Sequence, residues 1–414
     1  MSTTTIVKIT NDRDNVITLH NKIFSPDSLG VLNGDETILI CDMGNPLHYI
    51  WLRRDYPNLN IYGIEDYKLE QTFRYCFNEL NCNIVFNKKP DDIDECIKCI
   101  KIIQNKSKKM KFDIVTGNPP FNGGGKPLFM QIVKTIYDNY LNDGGIIRVV
   151  HPTTLIDNKF ELKLYNEYKD IKVISFDFSN ELRDMFKDAE IGNGIGIFTY
   201  GKDGKYDLLG DELKAIRFGE EYYKDKEIID TILSNCGQTI GELPNYVYIG
   251  SEENKTSTIN ELNSKYNIFV SFSRNRGHID KKTKGLKWDW TTLMPEKRLK
   301  VLDKLDDVGQ NVIYINSKNE GIEYIKWSVT DIVNFIVLFF KNNLTNSKSL
   351  FSRIPLPISS GDYSDESVMK HFGLSKEQME YIHNKVKNYG IKISYKCSEE
   401  NLLQIIDKMK EDIK

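Results

Sequence analysis

The stretch FDIVTGNPPFNGGGKPLF, Phe112 to Phe129, decides how the chain is read. Its apolar opening reads as a buried strand, which runs straight into Asn118-Pro119-Pro120-Phe121 and then into three glycines. Structure alone asks only for a turn here, and many turns would serve. Two prolines in succession fix φ twice and make this one stiff. Held in that way, the Asn118 side-chain oxygen and the Pro119 carbonyl would face one side and accept two hydrogen bonds. That pair of acceptors suits an exocyclic amino group with its two N–H donors, and Phe121 would lie over the flat face of the same base. An amine held by both hydrogens directs its lone pair out of the ring plane toward an electrophile. Positioning then supplies most of the acceleration, and the attack needs no general base.

Outward from this turn, short apolar runs alternate with amphipathic stretches. Upstream strands read as TILICDMG (37–44), NIYGIEDY (60–67) and NIVFN (83–87), and downstream strands as GIIRVVHP, IKVISFDF and IGIFTYGK. Strands separated by helices of ~10–15 residues predict a mostly parallel sheet with helices on both faces. Ligands of such open sheets bind at the C-terminal ends of the strands. That rule lines up the turns after Asp42, Glu65, Asn87 and Asn118 on one rim. The alternation fades past Tyr200–Lys214, which sets the expected boundary between a first domain, 1–205, and a second, 206–414. The second half reads as α+β, with a helical end from Ser364 in which Ser375 and Gln378 form a capping-box pattern.

A chain of 414 residues suggests two domains, and 40% hydrophobic residues are enough for a sizeable core. Its net charge of −3 argues against a generally basic coat but leaves room for a locally basic face. The N-terminus lacks the pattern of a secretory signal, and the longest apolar run, Ile332 to Phe340, is far short of the ~20 residues a membrane helix needs. A soluble, cytoplasmic protein without a membrane partner is expected. The seven scattered cysteines agree with a reducing compartment. Cys96 and Cys99 form a CxxC without a second pair at zinc spacing. Together with Ile93, Ile97 and Ile100 they read as one packed helix face.

The first half resembles the gamma-class S-adenosylmethionine-dependent DNA adenine-N6 methyltransferases found in restriction–modification systems. The likeness runs from about Phe24 to Lys202 and follows that family's order: cofactor motifs, then NPP(Y/F), then a target-recognition domain. It implies a Rossmann-like methyltransferase domain followed by a C-terminal α+β recognition domain, with S-adenosylmethionine as cofactor and no metal. It further implies cofactor contacts from Pro26 in FSPDSLG, Asp42 and Gly44 in CDMGNPLHY, Glu65 at the ribose hydroxyls, Asn87 at the adenine amino group, and Phe129. Phe186, in LRDMFKDAEIGNGIGIFTY, would stack on the flipped base opposite Phe121. Two positions depart from the family pattern: the first motif lacks GxG, and Asn87 stands where Asp is usual. The same turn also serves RNA adenines and protein glutamines, and the altered first motif keeps a non-catalytic DNA-binding subunit or decoy as an alternative.

A basic segment in the second half, SFSRNRGHIDKKTKGLKWDWTTLMPEKRLK, carries Arg274, Arg276, Lys281, Lys282, Lys284 and Lys287 with Trp288 and Trp290 interleaved. Arginine reads guanine edges and lysine mostly meets phosphate, so beside a methyltransferase half this segment is the expected contact with double-stranded DNA. The family's usual setting makes a restriction endonuclease a candidate partner, whose presence the sequence leaves open.

Overall fold

The apolar runs of the first half become one eight-stranded sheet in a computed structural model. It describes residues 13–24, 29, 32, 35–76, 82–107, 111–121, 128–153, 156, 167–178, 195–249, 252–272, 278–279, 286–287, 300–305, 311–340 and 348–391. Its strands are β1 (Thr37–Cys41), β2 (Asn60–Asp66), β3 (Asn83–Asn87), β4 (Phe112–Gly117), β5 (Leu141–Pro152), β6 (Lys172–Asp177), β7 (Ile195–Tyr200) and β8 (Tyr206–Asp207). Their order is β3-β2-β1-β4-β5-β7-β6-β8. The β1 to β5 strands are parallel, and β7 enters antiparallel between β5 and β6. The fold is therefore Rossmann-like, with the chain reversing its direction of travel across the sheet between β1 and β4. Open sheets of this kind bind ligands at that switch.

Every side chain of β1 is buried, as a parallel strand covered on both faces requires. Ile38 and Ile40 enter one apolar layer, with Leu19 and Ile23 of α1 (Arg13–Phe24) and Tyr49 and Leu52 of α2 (Leu47–Asp55). Leu39 and Cys41 enter the other, with α4 (Ile93–Ser107) and α5 (Leu128–Asn139); a short α3 (Glu70–Tyr75) lies between β2 and β3 in sequence. Cys96 and Cys99 are buried on α4 beside Ile100 and Ile103, the packed face expected of them. The expected break at 205/206 falls too early, since Leu208 and Leu209, just before α6 (Asp211–Phe218), and Leu213 within it belong to this core. The first compact unit accordingly extends to Gly219.

The second unit, Glu220–Lys414, is α+β. It begins with α7 (Glu221–Asn235) and contains an antiparallel sheet in the order β13-β10-β14-β9. These strands are β9 (Tyr246–Tyr248), β10 (Phe269–Phe272), β13 (Lys300–Leu302) and β14 (Asn311–Tyr314), with α8 (Glu252–Lys265) between β9 and β10. Helices follow at Lys318–Ser328, Asp331–Phe340, Lys348–Phe351, Asp365–Phe372 and Lys376–Ile391. The run Ile332 to Phe340 is a buried helix of this unit, and among the described residues no helix is long and apolar enough to cross a membrane. Ser375 and Gln378 close their capping box reciprocally at 2.9 and 3.1 Å.

One glycine fixes where the first unit presents its turn. Gly117 ends β4 at φ 146°, and a Cβ there would collide with the Cys41 carbonyl. The close approach lets the Asn118 N–H donate to that carbonyl at 2.9 Å. Gly117→Ala combines a strained φ with a backbone clash and should cost at least ~2–4 kcal/mol of stability. A thermal melt within a degree or two of wild type would contradict this placement.

Candidate active site

The C-terminal ends of β1, β2, β3 and β4 enclose one pocket with an empty volume of about 370 Å³, its open mouth included. Asp42, Glu65, Asp66 and Asn87 are among its lining residues, though nearly all the surface the pocket exposes is apolar. Ile64, Pro90, Cys96, Ile100 and Ile132 contribute apolar wall, and Pro119 and Pro120 close one side. Residues far apart in sequence meet here because four parallel strands end together. Asp42 adopts the left-handed region at φ 53°, rare outside glycine, and its N–H donates to the Ile64 carbonyl at 2.8 Å. This kink turns the chain back over the end of β2.

Glu65 is fully buried, and its carboxylate is already engaged. It accepts from the Met43 N–H at 3.2 Å, the Gly44 N–H at 2.9 Å and the Tyr49 hydroxyl at 2.7 Å. A carboxylate thus gathers the loop after β1, the loop that lacks the expected GxG. Gly63 makes room for it, because a Cβ there would fall on the Tyr49 hydroxyl. Neither Tyr49 nor Gly63 stands out in the sequence. Asp66, also overlooked there, was visible as the second acid of Glu65-Asp66. It lines the pocket and accepts from the Lys68 N–H at 2.9 Å.

The remaining expected residues divide. Asn87 lines the pocket, but its amide oxygen accepts from the Lys89 N–H at 2.9 Å and its amide nitrogen lies 3.2 Å from Cys96 Sγ. Its oxygen is therefore partly spent before any adenine amino group arrives. Asn118 is buried, and among the described residues its Oδ1 has no hydrogen-bond partner. A lone buried acceptor of this kind is costly unless a ligand satisfies it. Phe121 does not stand free over a base position. It is 6% exposed and packs into the apolar layer that contains Ile114, Val150 and Ile197. Phe129 is not a wall of the pocket either. It lies in the core, stacked on His151 at 4.5 Å, where its aromatic character fills space beside Phe198 and Tyr200. Pro26, Phe186, Arg274, Arg276, Lys281, Lys282, Lys284, Trp288 and Trp290 lie outside the described residues. Lys287 is described only as backbone, in the short antiparallel pair His278–Ile279 and Leu286–Lys287.

Burial and mutual repulsion dominate the electrostatics. Burial, then the nearby Asp66 charge, pushes the Asp42 carboxyl up to about 7. Burial, then Asp42, raises Glu65 to about 8 against the opposing pull of Tyr49, Gly44 and Met43. A ligand offering hydroxyl donors and a positive charge would relieve that repulsion. Among the described residues no cluster of three or more His, Cys, Asp or Glu side chains could hold a metal ion.

No family model matches the chain, and no curated protein is significantly similar to it. Solved structures resemble it at low identity, several methyltransferases among them. Fibrillarin in a complex with Nop5p is 15% identical over 41% of this chain and 74% of its own, with a TM-score of 0.29. Coclaurine N-methyltransferase, bound to N-methylheliamine and S-adenosylhomocysteine, is 10% identical over 45% and 71%, also at 0.29. Precorrin-6y C5,15-methyltransferase from Geobacter metallireducens is 12% identical over 47% and 91%, at 0.26. At these scores the likeness adds nothing to the topology and pocket already described.

The two raised carboxyls make stability depend on pH. The folded chain keeps their protons to higher pH than the unfolded chain, so the stability linked to them is complete below pH ~4 and lost as pH rises toward 7–8. Asp42→Asn should flatten the fall in thermal midpoint between pH 5 and 8.5. An unchanged slope in that variant would contradict the coupling.

Proposed function

We propose that the chain is a methyltransferase that uses S-adenosylmethionine to methylate N6 of a flipped-out adenine in double-stranded DNA. The observation that carries this reading is the buried Oδ1 of Asn118, without a partner among the described residues and next in sequence to the prolines that wall the pocket. The residues present suit the cofactor. Ile64, Pro90, Ile100 and Ile132 offer apolar surface to an adenine ring, Glu65 and Asp66 offer acceptors to ribose hydroxyls, and Asp42 offers a negative charge to an ammonium group. When bound, S-adenosylmethionine supplies an electrophilic methyl group on a sulfonium.

The protein's own part is positional. Asn118 Oδ1 and the Pro119 carbonyl would hold the two amino hydrogens of the target and so aim its lone pair, and the stiff prolines prevent the pair of acceptors from drifting. Flipping the base costs a few kcal/mol, and aromatic stacking at ~1–3 kcal/mol per base would offset part of it. Phe121, packed inward as described, would supply that surface only by swinging out, and Phe186 is the other residue proposed for it. Support for DNA over RNA or a protein glutamine comes from the basic, tryptophan-containing segment 273–299, which in sequence lies between the paired strands β10 and β13 and includes the short strand pair. A restriction endonuclease remains the proposed partner.

Asn118→Ala tests the reading. Loss of an acceptor used in the transition state should lower kcat by about 10²–10³, with cofactor affinity within threefold of wild type. Retained turnover would remove Asn118 from the chemistry.

A further inference from the structure

We infer that Tyr49 is a positioning residue of the cofactor pocket: its hydroxyl holds the Glu65 carboxylate across the space left by Gly63 and sets the pH at which the pocket accepts its ligand. The inference rests on the reading of this pocket as a cofactor site and adds a residue that the likeness to methyltransferases does not supply.

The geometry is closed on every side. Tyr49 projects from α2, directly after the loop that follows β1, and is fully buried in the apolar layer of α1 and α2. Its one polar atom meets Glu65 Oε1 at 2.7 Å, and its ring packs edge-on against Phe73 at 5.6 Å. The other carboxylate oxygen accepts from Gly44 at 2.9 Å. Oε1 is thus shared between the helix and the Met43 N–H at 3.2 Å, while the loop alone holds Oε2, so Tyr49 ties to the helix the carboxylate that shapes the loop. A phenol buried only for packing could be Phe. A Cβ at Gly63 would fall on the Tyr49 hydroxyl and against its ring, so this glycine leaves the space through which the phenol reaches Glu65.

The hydroxyl also biases protonation. It donates to the ionised carboxylate and so lowers a Glu65 pKa that burial and Asp42 raise. The other ionisable groups facing this cluster are Asp42 and Cys41 at the end of β1, Asp66 at the end of β2, and Cys82, which lies beside Arg53. Burial holds the Cys41 thiol well above its ordinary range and lifts Cys82 to about 12, so neither titrates near neutrality. Burial likewise keeps the Tyr49 hydroxyl protonated, and it stays a donor throughout.

The test is calorimetric titration of the full chain with S-adenosylhomocysteine from pH 5.5 to 9, for wild type, Tyr49→Phe, Glu65→Gln and the double variant. Wild-type affinity should rise with pH as the carboxyls ionise. Tyr49→Phe removes a hydrogen bond made to the ionised carboxylate, so it should move the midpoint of that rise upward by about one pH unit or more. In the Glu65→Gln background, Tyr49→Phe should shift nothing. An unshifted midpoint in folded Tyr49→Phe, or equal loss at every pH, would overturn the positioning role and leave the pocket reading intact. A shift that persists in the Glu65→Gln background would overturn it too. Absence of binding by wild type at every pH would overturn the pocket reading, and the inference with it. Circular dichroism at each pH shows which variants are folded, and if Tyr49→Phe is not, Tyr49→Trp and Gly63→Ala displace the same hydroxyl and must raise the midpoint in its place.

Discussion

The site depends on one close approach of backbone to backbone. Where β4 ends beside β1, Gly117 brings the chain against the Cys41 carbonyl, and the Asn118 N–H bonds to it at 2.9 Å. That bond joins the strand before the Asp42 loop to the strand before the double-proline turn. It also fixes two directions at once. Cys41 leads into Asp42 and the carboxylate cluster, while Asn118 leads into Pro119 and Pro120 on the wall of the same pocket. A side chain at 117 would separate these halves. Stiff prolines then preserve the placement through the residues that follow.

Around this junction the structure stores unfavourable electrostatics. Two carboxyls in low-dielectric surroundings repel each other and are displaced toward neutrality, and such displaced groups cluster where function needs them. Glu65 manages its burial by accepting three internal hydrogen bonds, which tie β2, the loop after β1 and helix α2 together. A glycine-rich loop usually brings its backbone close to a ligand by having no side chains. Here a carboxylate clasp shapes a loop with a single glycine, Gly44, at positive φ.

The sheet was legible because its signals are local. Runs such as TILIC and NIVFN are short, apolar and bounded by turn residues, and their alternation with helices fixes parallel strands and a common rim. The rim made Asp42, Glu65, Asn87 and the proline turn predictable as neighbours. Side-chain direction was not predictable in the same way. Phe121 and Phe129 are aromatic residues beside a turn, and nothing in a linear pattern says whether an aromatic faces a ligand or fills a core; here both are buried. Tyr49 and Gly63 act only as a pair across fourteen positions, so no local spacing marks them. The end of the first unit was read early because β8 is two residues long and the leucines that tie α6 to the core follow a polar, turn-like stretch.

The most direct test of the central claim is nucleoside mass spectrometry. The purified chain is incubated with isotopically labelled S-adenosylmethionine and, in separate reactions, unmethylated genomic duplex DNA, total RNA and a glutamine-containing peptide library. Labelled N6-methyladenine in the DNA, absent with Asn118→Ala, is the result this account predicts. Label confined to RNA or glutamine, or none in any reaction by a chain that binds the cofactor, would contradict it.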